Sequence, residues 1–319
     1  MQPKCLHELK EFPDLLRILE KEMGITAQLI EKDYWIMHVL YGLQQQGFEF
    51  ELKGGTSLSK GYGIIDRFSE DIDIHIKPAT QLSVNCNPKN TNSKAVASRK
   101  DYYDWLSGNI KIDGIVSVVR DIAFDNPANY NSGGIRLFYN GYTEKIDGIK
   151  EGILLEAGFD TVTPNEHKTI TSWAFDRAFS TEGIAVKDNR AIDIACYHPG
   201  FTLVEKLQTI ATKYRREQQD PNIIFPNLMR QYYDVYCLLS QDIVQEFIGT
   251  EAYLQHKEER FPAKDKELAI SKNEAFLLSD PLKRAQFQKR YEATKSLYYK
   301  TQPPFDELLK RILGFIDRL

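Results

Sequence analysis

No stretch of this 319-residue chain approaches the eighteen or so consecutive apolar residues of a membrane span. The opening MQPKCLHELKEF also lacks the hydrophobic segment of a secretory leader. The expectation is a cytoplasmic protein with no membrane partner. Cysteine is scarce: Cys5, Cys86, Cys196 and Cys237 lie far apart with no Cys-x-x-Cys pair, which excludes a zinc knuckle and a disulfide framework. Positive charge is not in excess, with 41 Lys and Arg against 45 Asp and Glu and a net charge of −4. That balance excludes a general nucleic-acid coat, while leaving room for a local basic patch. Two clusters qualify for either a patch or a solvated helix face: Lys206, Lys213, Arg215 and Arg216, then Lys283, Arg284, Lys289 and Arg290. Internal repeats and heptads are missing, as are a Gly-Lys-Ser/Thr phosphate loop and a G-x-G-x-x-G turn. A P-loop ATPase and a Rossmann dehydrogenase are therefore set aside.

What remains is an ordinary globular composition, 42% hydrophobic and 27% charged, with one concentrated feature. Residues 53–73 read KGGTSLSKGYGIIDRFSEDID. Before them, FEFELK (48–53) alternates apolar and charged positions with the period of a half-buried strand. The strand breaks at Gly54-Gly55, where glycine permits positive φ and close approach of a ligand. Thr56 and Ser57 then supply hydroxyls and N–H groups at the start of a predicted helix, a setting suited to a triphosphate. Further on, DIDIHI (71–76) places Asp71, Asp73 and His75 on one strand face and three isoleucines on the other. Same-face neighbours lie about 6.5–7 Å apart at a rise of roughly 3.3 Å per residue. That span suits carboxylates bracketing two Mg²⁺ ions about 3.5–4 Å apart. A glycine pair alone marks a turn, and Asp-x-Asp alone marks a solvated edge; in this order they predict phosphoryl or nucleotidyl transfer from an NTP.

The rest of the chain frames that feature. Residues 5–46 carry helical periodicity. Residues 78–98, rich in Asn, Ser, Lys and Pro, predict a long polar loop bordering the substrate, followed by a short helix in DYYDWLSGNI. GIVSVVRDIAF, GGIRLFYNGYT and EGILLEAGFD predict strands. In the last of them Glu156 is one carboxylate in an apolar run, readable as a third metal-site acid or as the partner of a buried arginine. From Pro199 the pattern is helical to the end, which sets domains at 1–198 and 199–319. The expected fold class is α+β, a mixed sheet with flanking helices joined to a helical C-terminal domain.

Gly54-Gly55-Thr56 with Leu58, Arg67, Ser69, Asp71 and Asp73 resembles the first motif of the nucleotidyltransferase toxins of the AbiEii/AbiGii type, within the DNA polymerase β-like superfamily. IEKDYWIMHVL (30–40), FTLVEKLQTI (201–210) and RQYYDVYCLL (230–239) resemble the family's later helices, so the likeness spans roughly residues 25–240. The resemblance implies a nucleotidyltransferase-like sheet and a toxin of a toxin–antitoxin or abortive-infection system. Such a toxin moves a nucleoside monophosphate from an NTP to an acceptor such as the tRNA 3′ end, with two Mg²⁺ ions and a cognate antitoxin. Residue by residue, it implies catalytic or metal roles for Asp71, Asp73 and Glu156. Lys206 and Asp234 take catalytic roles, and Gly54, Gly55, Thr56, Ser57, Arg67, Ser69, Lys206 and Lys213 contact the nucleotide. Lys32, Asp33 and Trp35 match the N-terminal pattern without a chemical role. The chain departs from some members at Gln231, where an acid follows the motif arginine in those proteins. A small-molecule or protein hydroxyl as acceptor, and a non-catalytic nucleotide-binding module, are the competing readings.

Overall fold

A computed structural model of the chain describes residues 3–144 and 149–319. Among them seven strands form one sheet: β1 (Glu49–Lys53), β2 (Asp71–Lys77), β3 (Ile115–Arg120), β4 (Ser132–Tyr139), β5 (Ile153–Gly158), β6 (Asn165–Ile170) and β7 (Ala191–Tyr197). Their order is β3-β4-β5-β2-β1-β7-β6. The sheet is mixed, because β2 runs parallel to β5 and β1 parallel to β7 while the remaining neighbours are antiparallel. With its flanking helices this is the expected α+β arrangement.

The chain divides into two compact units. One comprises Met1–Tyr62 and Phe68–Tyr197, the other Gly63–Arg67 and His198–Leu319. The first holds the sheet, α1 (Phe12–Met23), α2 (Ala27–Gln45), a short α3 (Gly54–Thr56) continued by a π turn over Ser57–Gly61, α4 (Ser93–Asn109) and α5 (Trp173–Phe179). The second begins with α6 (Pro199–Gln219) and α7 (Leu228–Leu238), and six more α-helices follow, the last over Phe305–Phe315. Short segment 63–67 joins the second unit through backbone pairing of Arg67 with Tyr298 and a hydrogen bond from the Asp66 N–H to the Tyr233 hydroxyl at 3.1 Å.

Alternation sets the central strands. On β2 the isoleucines Ile72, Ile74 and Ile76 are fully buried, and the intervening Asp71, Asp73 and His75 are half-exposed. Helix α2 departs from the usual amphipathic surface helix. It packs against α1, α5, β5 and β7, and nearly its whole length from Leu29 to Leu43 is buried, including Glu31, Lys32 and Asp33.

The polar loop is shorter and more tightly held than its composition suggests. Helix α4 begins at Ser93, where the Asn92 side chain caps it by accepting from the Ala95 N–H at 2.8 Å, and DYYDWLSGN is its second half. Arg99 on this helix is fully buried and gathers the loop onto itself, donating to the carbonyls of Asn85, Asn87, Asn90 and Asn129 at 2.8–3.1 Å. An Asn-rich stretch reads as coil, yet asparagine is also a strong helix cap.

Candidate functional site: a carboxylate row beside a glycine turn

Strand pairing brings the predicted acids together. In the parallel ladder between β2 and β5, Asp73 lies opposite Glu156 and Asp71 opposite Leu154. Asp73 also faces Lys53 across β1, and Glu156 faces Gly134 across β4. One row across four neighbouring strands therefore reads Lys53, Asp73, Glu156 and Gly134, and Asp71 shares the same face two residues along β2.

Burial first, and then the charges of Asp73 and Asp71, push the Glu156 carboxyl up to about 8 against weaker pulls from Lys150 and Lys53. Lys150 Nζ sits 2.9 Å from Asp71 Oδ2 and 3.2 Å from Oδ1, and 4.9 Å from the centre of the Phe124 ring. Three oxygen-donor acids, one of them held from ionising by its neighbours, make a set that fits a hard divalent cation such as Mg²⁺.

The turn beside them is shaped for close approach. Gly54 has φ +67°, and a Cβ built on it would stand 2.2 Å from Asp73 Oδ2, so only glycine fits on both counts. Of the hydroxyls that follow, Thr56 Oγ1 donates to the Asp71 carbonyl, and both Thr56 and Ser57 are fully buried. Gly55 is buried as well. Ser69 lies in the irregular segment just before β2 and is half-exposed.

The three consecutive charges of α2 tie separate segments to this part of the unit. Glu31 accepts from the Tyr142 N–H at 2.9 Å and from the Thr143 hydroxyl at 2.7 Å. Lys32 Nζ donates to the Lys150 carbonyl at 2.6 Å and stands 3.7 Å from Glu70. Asp33 pairs with Lys60 on the π turn and accepts from the Trp173 N–H at 2.9 Å. Burial pulls the Lys32 amine down to about 8, with Glu70 and Asp71 opposing, and burial likewise raises the Asp33 carboxyl against the pull of Lys60. Lys32 and Asp33 thus have a positioning role that the sequence left blank, while Trp35 stacks on Tyr139 at 4.6 Å as part of the core. Sequence reasoning missed Glu31, Glu70 and Lys150. The available signal was three adjacent charges inside an otherwise apolar helix.

The second unit holds a different cluster. Asp234 on α7 is fully buried and receives Arg67 through both Nε and Nη2 at 2.6 Å. Lys206 on α6 reaches the same carboxylate at 2.9 Å. Burial alone would raise the Asp234 carboxyl, but Arg67 and Lys206 outweigh it and hold it below the usual range. Arg67 is itself only 4% exposed. Lys213, also on α6, lies 5.4 Å from the centre of the Phe225 ring. The neighbouring basic residues are largely ion-paired, Arg215 with Asp265, Arg284 with Asp306 and Arg290 with Glu217.

Two other clusters resolve as structural. His75 Nδ1 lies 2.8 Å from Glu51, which also takes Lys77 at 2.8 Å. Cys5, His7 and His38 are buried with ligand atoms within 4.8 Å of one another. Both His38 ring nitrogens are engaged, Nε2 with the Asp113 carbonyl at 2.9 Å and Nδ1 with the Asn189 amide at 2.8 Å. His7 Nδ1 meets the Tyr34 hydroxyl at 2.8 Å, so this group is a hydrogen-bonded core rather than a metal centre.

Among the described residues no helix is long and apolar enough to cross a membrane. No curated protein matches the chain. A family model described as "Nucleotidyl transferase AbiEii toxin, Type IV TA system" matches residues 38–311, a span that takes in the glycine turn, the carboxylate row and the buried Asp234 cluster. The chain therefore belongs to the AbiEii nucleotidyl transferase toxin family of type IV toxin–antitoxin systems.

Proposed function

We propose that this protein is a Mg²⁺-dependent nucleotidyltransferase of the cytoplasm that moves a nucleoside monophosphate from an NTP onto the 3′ end of tRNA, and that a cognate antitoxin restrains it. The observation that carries the chemistry is the pairing of Asp73 with Glu156 in one row, with Asp71 on the same face and Gly54 against Asp73. Asp71, Asp73 and Glu156 would hold two Mg²⁺ ions. When bound, such ions lower the pKa of an attacking hydroxyl and neutralise a leaving pyrophosphate.

The protein's own groups do the remaining work. Backbone N–H groups at the Gly54-Gly55-Thr56 turn bind phosphate oxygens, since the Thr56 hydroxyl is used internally. Gly54 lets a phosphate and the Asp73 carboxylate share a space that a side chain would fill. Ser69 supplies a polar contact ahead of the aspartates. Within the second unit, Lys206 and Lys213, seven residues apart on α6, are the proposed nucleotide-binding lysines, and Asp234 with Arg67 fixes the Lys206 amine.

The test is incubation of purified protein with Mg²⁺, each labelled NTP in turn and total bacterial RNA, with Asp71→Asn alongside. Label in tRNA-sized bands from the wild type alone is the expected result, and it names the nucleotide. Label that survives RNase treatment would move the acceptor to a protein or small-molecule hydroxyl, and no label in any fraction would sink the transfer reaction itself.

A further inference from the structure

Lys150 is held with unusual care for a half-exposed lysine. Its carbonyl accepts from Lys32 Nζ at 2.6 Å, and its N–H donates to Glu70 Oε1 at 3.2 Å. Lys32 and Glu70 are an ion pair with side chains only 2% exposed. Burying two opposite charges costs several kcal/mol of desolvation that their attraction repays only in part. Here both partners of a buried pair are spent on the two backbone groups of one residue. Glu31 fastens the same connection at Tyr142 and Thr143. The outcome of this scaffolding is the position of one ammonium group, 2.9 Å from Asp71 and 4.9 Å from the Phe124 ring centre.

We propose that Lys150 is the built-in counter-cation of the carboxylate row, and that a divalent ion binds at Asp71 by displacing its ammonium. The proposal rests on the metal-binding reading of Asp71, Asp73 and Glu156 given above. Lys150 takes both Asp71 oxygens, so an arriving divalent ion is repelled by its charge and competes with it for their lone pairs. Lys150 therefore weakens metal binding, keeps Asp71 in place without metal, and is released toward the phosphates of an incoming nucleotide once the ion has arrived. Lys150 is in this sense a positioning residue whose partner changes on loading.

The test is direct Mn²⁺ binding, by electron paramagnetic resonance or calorimetry, to wild type, Lys150→Gln, Lys150→Arg and Asp71→Asn without nucleotide. Lys150→Gln should bind Mn²⁺ on the order of tenfold more tightly, equivalent to ~1.4 kcal/mol. Lys150→Arg should stay near wild type, and Asp71→Asn should lose the site. Lys150→Gln is a change at a side chain one-third exposed, so its fold is expected to survive. Wild-type binding with an unchanged or weaker Lys150→Gln would overturn this proposal and leave the metal site standing. No Mn²⁺ binding by either the wild type or Lys150→Gln would overturn both.

Discussion

Two clusters of buried or half-buried charge in this protein have opposite imbalances. In the first unit, Asp73 and Glu156 stand opposite one another with Asp71 on the same face, and Glu156 is pushed up to about 8 by burial and its acidic neighbours. In the second unit, Arg67 and Lys206 converge on Asp234, and that acid is held below its usual range despite complete burial. One cluster sets acids side by side along a strand row; the other sets two cations on one buried acid. An anion-rich face is functional ground because native folds rarely leave like charges together without a ligand, whereas a neutralised buried pair is first a structural device.

Breaking each cluster should therefore give opposite results. Asp73→Asn is expected to reduce nucleotidyl transfer by about 10³-fold, since losing a metal ligand forfeits several kcal/mol of transition-state stabilisation. Its thermal midpoint should hold or rise, because a like charge beside Glu156 has gone; a collapse of the midpoint would remove the contrast. Asp234→Ala should instead destabilise the second unit by about 3–5 kcal/mol in urea titration, because Arg67 is left as an uncompensated buried cation.

The pH dependence sharpens the contrast. Glu156 holds its proton more tightly in the folded chain than its ordinary value of 4.5 would allow. Its stabilising contribution is complete below about 4.5 and is lost as pH rises toward 8, with a slope of at most ~1.4 kcal/mol per pH unit. Asp234 behaves in the reverse sense: its contribution is present above the ordinary 3.8 and disappears as pH falls through its lowered folded value. Urea titrations at intervals from pH 5 to 8 without metal should show stability falling, with Glu156→Gln flattening the slope and Mg²⁺ recovering more stability at pH 8 than at pH 6. A slope untouched by Glu156→Gln would discard this account of the row. The smallest effect is assigned to His75→Ala, which loses one contact to Glu51 and should change stability by less than about 1 kcal/mol and transfer by about twofold at most.

Much of the site could be read along the chain because its signals are local. Alternation over 71–76 placed the aspartates opposite the isoleucines, and the broken strand at Gly54-Gly55 marked the turn, both as observed. Strands β6 and β7 and helix α5 went unread. β6 carries the polar NEHKTI at a sheet edge, and α5 is only seven residues long, so neither shows a periodic apolar face. The buried Glu31, Lys32 and Asp33 were equally opaque. Their partners include Thr143, Lys150 and Trp173, and a partner more than a hundred residues away leaves no mark on local periodicity.

The amino-acid order by itself determined the repeating elements, the glycine turn, the aspartate pair and the helical character of the C-terminal third, because hydrophobic period and turn chemistry act between near neighbours. Tertiary structure alone decided that Glu156 stands opposite Asp73, that Lys150 reaches Asp71, and that Arg67 closes on Asp234. Strand register and the pairing of buried charges follow from how the whole chain excludes water, and that balance is struck only once distant segments have met.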